Sequence, residues 1–293
     1  MHALRGLHYE VVDVFTRNIF EGNALAVFPD AARLDDKTMQ RIARELNLSE
    51  TVFIFPSALE GCVARLRIFA PLRELNFAGH PTIGAAFVLL KDNPAECISV
   101  EENVGPVRVR VEKGDRPLIW LATPPIAEGP TFSRQLCAAA LGLQDQELAT
   151  AQPQLLDAGN PTLFIALNDR RAVDRAVLDP ARFDELKAVL PGPFCVFPFA
   201  SIPEGAYSRM FAPDIGIPED PATGSSTGPL ALYMMRHGLV PSTDGTRFVS
   251  EQGTAMGRRS LLHVHVHGPL GAEGIEVGGY VTPVAKATLA SLE

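Results

Sequence analysis

The sequence predicts an α+β fold built from two similar units, each a group of strands wrapped around one central helix. The first observation behind this is an internal repeat. "GNALAVF" from Gly22 returns as "GNPTLFI" from Gly159, and "RIFAP" ending at Pro71 returns as "RMFAP" ending at Pro213, at nearly the same shift. After each "FAP" stand a polar or acidic loop, an Ala-led Gly-rich turn and an apolar run, "AGHPTIGAAFVLL" and "ATGSSTGPLALYMM". The second observation is that the first of these runs is apolar almost all round, so as a helix it must be enclosed by other elements. The third is that the segments before it carry strand patterns, which supply the enclosing sheet.

Taken in order, "HYEVVDVF" alternates like a strand and "EGNALAVF" turns at Gly22-Asn23 into a second one, which is hairpin chemistry. "KTMQRIARELNL" sets Met39, Ile42, Ala43 and Leu46 at helical spacing, with Asp35 or Asp36 as the cap. "SETVFIF" and "CVARLRIFAP" read as strands. "HPTIGAAFVLLKDNP" reads as the buried helix, opened by Pro81 and ended before Pro94. The second apolar run ends at "RHG", where Gly238 suits a C-terminal cap. "GDRPL" and Thr123-Pro124-Pro125 carry turn and linker chemistry, which divides the chain into domains 1–124 and 125–293. A return of the last segment, "VTPVAKATLASLE", to the first domain is left open.

Composition narrows the function classes. A chain of 293 residues with 46% hydrophobic and 20% charged residues has material for a sizeable core. A net charge of -8 with scattered Lys and Arg repels a phosphate backbone, so no nucleic-acid partner is expected. Cys62, Cys97, Cys137 and Cys195 show no CxxC spacing and suggest neither zinc nor a disulfide framework. "MHALRGLHYEVVDVF" has no continuous apolar stretch and no run suits a membrane span; the expectation is a cytoplasmic protein with no membrane partner.

If two such units face each other, the two Gly-rich turns meet in a cleft, and a cleft between domains suits a small molecule. Helix N-terminal amides from both sides favour an anionic ligand such as a carboxylate.

The stretches "FEGNALAVF", "MQRIARELNLSETVF", "FAGHPTIGAA", "MFAPDIGIPEDPATGSSTG" and "EQGTAMGR" together resemble the PhzF family of phenazine-biosynthesis isomerases and their relatives. The resemblance implies a diaminopimelate-epimerase-like fold, two pseudo-symmetric β-barrel-like domains each around a central helix, usually as a homodimer. It implies Glu50, in "NLSE", as the catalytic acid/base. It also implies His80, Asp220 and Ser225 as substrate-binding residues, with the backbone of Gly79 and Gly224 completing a carboxylate cradle. No cofactor and no metal is called for. One departure is Ala24, where the family commonly has Pro after Gly-Asn.

Related racemases on this fold place a thiol at the head of each central helix, where helix amides lower its pKa. Here those positions are Ala78 and Ala222, which excludes that two-thiol route. A single carboxylate can still move a proton from one carbon to another of a conjugated acid, an isomerisation without racemisation. This requires Glu50 to be poised near neutrality, which burial beside Val52 and Phe53 and a nearby Asp220 would favour. The expectation is therefore an isomerase moving a proton within a small unsaturated or aromatic-precursor carboxylate. Two alternatives stay open: a binding module without chemistry, and an epimerase with Glu50 and Asp220 as opposed bases.

Plainer roles stand beside these. His80, before Pro81, fits a helix cap as well as proton transfer, and Asp220 and Ser225 are N-cap types. Ser225 lacks the GxSxG elbow of an acyl-transfer nucleophile. His263, His265 and His267 alternate in "HVHVH" and share one strand face, but no adjacent acidic ligand stands in the sequence, and a solvated sheet face is the expectation.

Overall fold

Strand pairing repeats along the chain in one order. In the computed structural model, which describes residues 6–91 and 94–290, the elements run β1 (His8–Val14), β2 (Asn23–Phe28), α1 (Asp36–Leu46), β3 (Glu50–Phe55), β4 (Ala64–Phe69) and β5 (Glu74–Leu75). There follow α2 (Gly79–Leu90), β6 (Cys97–Glu102), β7 (Gly105–Glu112), β8 (Leu118–Ala122), β9 (Ala127–Thr131), α3 (Arg134–Ala140), β10 (Gln154–Asp157) and β11 (Thr162–Leu167). The chain continues through α4 (Arg170–Arg175), α5 (Pro180–Val189), β12 (Cys195–Ile202), β13 (Gly205–Ser208), α6 (Gly224–Arg236), β14 (Arg247–Gln252), β15 (Ser260–His267), β16 (Gly274–Gly279) and β17 (Val281–Thr288).

From β1 the pairings are antiparallel to β2, parallel β2 to β3, antiparallel β3 to β4, parallel β4 to β6 and antiparallel β6 to β7. From β10 the same series recurs through β11, β12, β13, β14 and β15. The repeat seen as short matching words is thus a repeat of topology.

Two units result. The first holds the described residues up to Ala122 and those from Gly278 onward, and the second is Thr123–Val277. The sequence division at 124/125 left residues 278 onward with the second domain. In the structure β17 lies antiparallel to β1, so this segment is a strand of the first unit. The repeat does not reveal that crossing, because strand pairing is a tertiary choice. Residues 92 and 93, ahead of the expected helix stop at Pro94, and 291–293 of the last segment lie outside the described residues. So do residues 1–5 of the stretch read for an export signal.

Within the first unit α2 packs on β1, β2, β3 and β8, and nine of its residues are buried. Gly84 permits the contact, since a Cβ there would stand 2.4 Å from Leu25 Cδ2. Stacked rings of Tyr9, Phe28 and Phe53 form a second cluster with Met39 of α1. Asp35 caps α1 by accepting from the Thr38 amide at 2.7 Å. Burying each such large side chain contributes roughly 1.5–3 kcal/mol, so the core and not helix propensity holds α2. In the second unit α6 is enclosed in the same way, with Tyr233 against Phe164 and Phe199 and its hydroxyl donating to the Gln152 carbonyl at 2.8 Å. Gly238, with φ 66°, follows its end. Among the described residues no helix is long and apolar enough to cross a membrane.

Candidate active site

The first unit gathers its polar residues through one turn and two strand starts. Gly22 takes φ 68°, and a Cβ there would lie 2.2 Å from the Val14 carbonyl oxygen, so only glycine closes this turn and starts β2 at Asn23. The parallel pair β2–β3 sets Leu25 beside Glu50, which puts Glu50 at the first position of β3 near Asn23. α2 starts at Gly79 beneath the same strand ends. Its N-cap is Ala78, without a side-chain cap, so His80 is the second helical residue and not the cap.

Asn23, Glu50 and His80 therefore meet. His80 Nε2 stands 3.3 Å from Glu50 Oε2, the two side chains being 5% and 13% exposed, without hydrogen-bond alignment at Nε2. Its other ring nitrogen, Nδ1, lies 3.5 Å from Asn23 Nδ2. Burial pushes the His80 pKa down to about 3, which favours the neutral imidazole beside Glu50. With the Asn23 amide as donor to Nδ1, the ring proton sits on Nε2, the nitrogen nearer Glu50 but not aligned to its carboxylate.

A third carboxyl, absent from the sequence reading, lies behind this turn. Glu102 ends β6 and is 2% exposed. Thr82 Oγ1 contacts its Oε1 at 2.5 Å and also donates to the Ala78 carbonyl at 2.7 Å. The Thr82 hydroxyl has one proton to share between the Ala78 carbonyl and Glu102 Oε1. Burial pushes the Glu102 pKa up to about 8 against the opposing bonds from Thr82 and the Ala78 amide, which favours the neutral acid at the head of α2. A charge there would cancel the positive end of the helix that an anionic ligand needs.

The second unit uses the same parts with other residues. Asn160 of the second "GN" donates to Ser225 Oγ at 3.2 Å and to Ser226 Oγ at 3.4 Å, and Thr162 shares a 2.8 Å bond with Ser226. Gly224 is the first residue of α6, whose N-cap is Thr223, so neither Asp220 nor Ser225 caps it. Pro229 lacks the amide that would bond the Ser225 carbonyl within α6. Asp220 is buried and accepts from Thr223 Oγ1 at 2.5 Å. Gln252 braces this turn: its amide donates to the Asp220 carbonyl at 2.8 Å and to Thr223 Oγ1 at 3.0 Å, while its Oε1 accepts from the Thr223 amide at 3.2 Å. Gly253 behind it has φ 75° and no room for a Cβ, which would lie 2.5 Å from the Pro221 carbonyl oxygen.

Each unit thus joins its own predicted residues: Glu50, Gly79 and His80 in the first, Asp220, Gly224 and Ser225 in the second. Sequence reasoning missed Asn23, Asn160, Glu102 and Gln252. The repeated "GN" marked the two asparagines, and "EQG" contained Gln252. Glu102 had no signal, being one acid of "VEEN".

Burial works against the thiolate form at two cysteines. Cys137 and Cys195 have pKa values pushed up to about 12. Cys195 begins β12 beside Thr162, the place that Glu50 holds beside Leu25, and its thiol donates to Asn160 Oδ1 at 3.4 Å.

Comparison with known proteins fits this arrangement. The family model described as PhzC-PhzF, phenazine biosynthesis-like protein, matches residues 12–287. The trans-2,3-dihydro-3-hydroxyanthranilate isomerase of Pseudomonas aeruginosa is 35% identical over 263 residues, 89% of this chain and 90% of that protein. The solved structure of a predicted epimerase from Pseudomonas aeruginosa is 30% identical with a TM-score of 0.83, covering 98% of this chain and 100% of that one. Likeness of fold alone extends to a probable proline racemase from Agrobacterium radiobacter, 13% identical with a TM-score of 0.65, over 97% of this chain and 93% of the other. The fold is α+β and diaminopimelate-epimerase-like. The chain belongs to the PhzC-PhzF family of phenazine biosynthesis-like proteins and is an enzyme of the isomerase class.

Proposed function

We propose that the protein moves a proton within a small unsaturated carboxylic acid, with Glu50 as the single acid/base. The observation that carries this reading is the 3.3 Å approach of Glu50 to the buried His80, whose charged form burial disfavours. Glu50 as carboxylate takes a proton from a carbon next to a double bond; the electron pair shifts along the conjugated system, and Glu50 returns the proton to the far carbon. Charge and atoms balance, and no second base is needed. His80, 3.3 Å from Glu50 Oε2, positions the carboxylate by packing against it. Asp220, Ser225 and the first-turn amides at Gly79 and Gly224 take substrate-binding roles, because an α-helix leaves those amides without carbonyl partners.

The substrate class is supported by the name of the Pseudomonas aeruginosa relative, a trans-2,3-dihydro-3-hydroxyanthranilate isomerase, whose substrate is a partly reduced ring bearing a carboxylate. The two-thiol epimerase route has no support, since Ala78 and Ala222 precede the helix starts. The reading includes a homodimer, as the resemblance implies, and a cytoplasmic location, checked by light scattering and cell fractionation. The central experiment incubates the protein with trans-2,3-dihydro-3-hydroxyanthranilate in heavy water. Product carrying solvent deuterium at one carbon is expected; a bound acid that never exchanges would leave a binding protein without chemistry.

A further inference from the structure

The "HVHVH" strand gains a partner that the sequence did not reveal. β15 alternates buried and half-buried residues, so its histidines share the half-buried face. The chain then returns through residues 268–273, fixed by the Glu273 amide donating to the His267 carbonyl at 3.0 Å, and β16 brings Glu276 alongside. This corrects the expectation of no adjacent acidic ligand. The acid is nine residues on from His267 and becomes adjacent only through the return of the chain.

The donor atoms converge. Glu276 Oε2 lies 3.0 Å from His267 Nε2 and 3.8 Å from His265 Nδ1, and one donor atom from each of the three residues falls within 4.8 Å of the other two. The two imidazole rings stand 4.1 Å apart. Zinc bonds to nitrogen and oxygen of about 2.0–2.2 Å in a tetrahedron place neighbouring ligand atoms roughly 3.3–3.6 Å apart. The two observed separations bracket that edge. Side-chain exposures of 16% for His265, 35% for His267 and 15% for Glu276 leave one side open to water.

We propose that His265, His267 and Glu276 form a binding site for a divalent transition-metal ion of the zinc type, with water completing the coordination. Two ligands from alternate positions of one strand and a third from the returning strand form a three-ligand site that keeps an open position. Imidazole donors select zinc-like ions over magnesium or calcium, which take oxygen. One group opposes the ion. Arg247, opposite His265 in the β14–β15 pair, brings Nη2 to 3.4 Å from His265 Nδ1, and its charge repels a cation there.

The test uses the full chain, stripped with a chelator and titrated with zinc chloride by calorimetry. One zinc ion per chain is expected, with a dissociation constant below about 100 µM and no heat from magnesium chloride. His267→Ala and Glu276→Gln should each weaken binding at least about tenfold with unchanged circular dichroism, a loss typical of removing one ligand. Arg247→Ala should tighten it severalfold. Absence of zinc uptake by the unaltered chain overturns the proposal. So does binding that survives both ligand substitutions, or binding lost in His263→Ala but kept in Glu276→Gln, which would assign the ion to other residues.

Discussion

The two halves of the molecule share strand order, a glycine-asparagine turn and a buried helix, and differ in what stands at the shared places. In the first unit the residue that opens the parallel partner strand is Glu50; in the second it is Cys195. The asparagine of each turn reaches the first turn of its own helix: Asn23 meets an imidazole, while Asn160 meets two hydroxyls. Even a threonine-to-carbonyl bond recurs, Thr82 to Ala78 and Thr227 to Thr223. The difference teaches that one scaffold separates labour by residue type. One copy sets a carboxyl beside an imidazole, and the other sets hydroxyls beside an asparagine and a thiol.

The comparison is broken most directly by exchanging its key residues. Glu50→Gln should reduce turnover by about 10²- to 10⁴-fold, the range of general acid/base help, while Cys195→Ala leaves turnover within about twofold. Steady-state rates with deuterium incorporation measure both. Equal losses would abolish the distinction between the halves.

Asn23→Ala and Asn160→Ala sharpen it at the next level. Loss of Asn23 leaves buried His80 without the donor that fixes its tautomer, and about 10- to 100-fold in kcat is expected, in line with an unsatisfied buried group. Asn160→Ala should raise KM with kcat little changed, as the binding role proposed for Ser225 requires.

The packed glycines give a smaller, purely structural contrast. A Cβ on Gly228 would meet Thr123 Cβ at 2.8 Å as well as its hydroxyl, whereas one on Gly84 meets the flexible end of Leu25. Both Gly→Ala changes overpack the core by about 1–3 kcal/mol, with Gly228→Ala the larger because a β-branched side chain gives way less. Urea denaturation reads the order.

The smallest effect is one of pH. Glu102 has a folded pKa of about 8 against an ordinary 4.5, so the folded state binds more protons between these values and stability falls as pH rises through that window. His80 works on the other side: its folded pKa of about 3 against 6.5 makes stability fall as pH drops through that range. Melting temperatures of Glu102→Gln should lose the alkaline slope and keep the acidic one. An unchanged alkaline slope would mean that Glu102 is ionised at neutral pH.

Much of this was legible in the residues. Periodicity marked α1 and narrowed its cap to Asp35 or Asp36, of which the structure uses Asp35, and the all-round apolar "PTIGAAFVLL" marked an enclosed α2, because burial on every side leaves no polar stripe. Glu50, His80, Asp220 and Ser225 were picked out by the motifs that carry the resemblance. Caps were misjudged at both helix starts, since Ala78 and Thr223 hold the cap positions by backbone geometry without a side-chain bond to the helix amides.

By itself, then, the sequence determined the duplication, the enclosed helices and the absence of a thiol at Ala78 and Ala222, all of which rest on local pattern and residue type. Only the tertiary structure decided that Glu102 is buried behind the head of α2, that β17 belongs with β1, that Cys195 stands where Glu50 does, and that Glu276 joins two histidines. Each of these depends on which distant segments pair and on how much water burial removes, and neither is written in the neighbours along the chain.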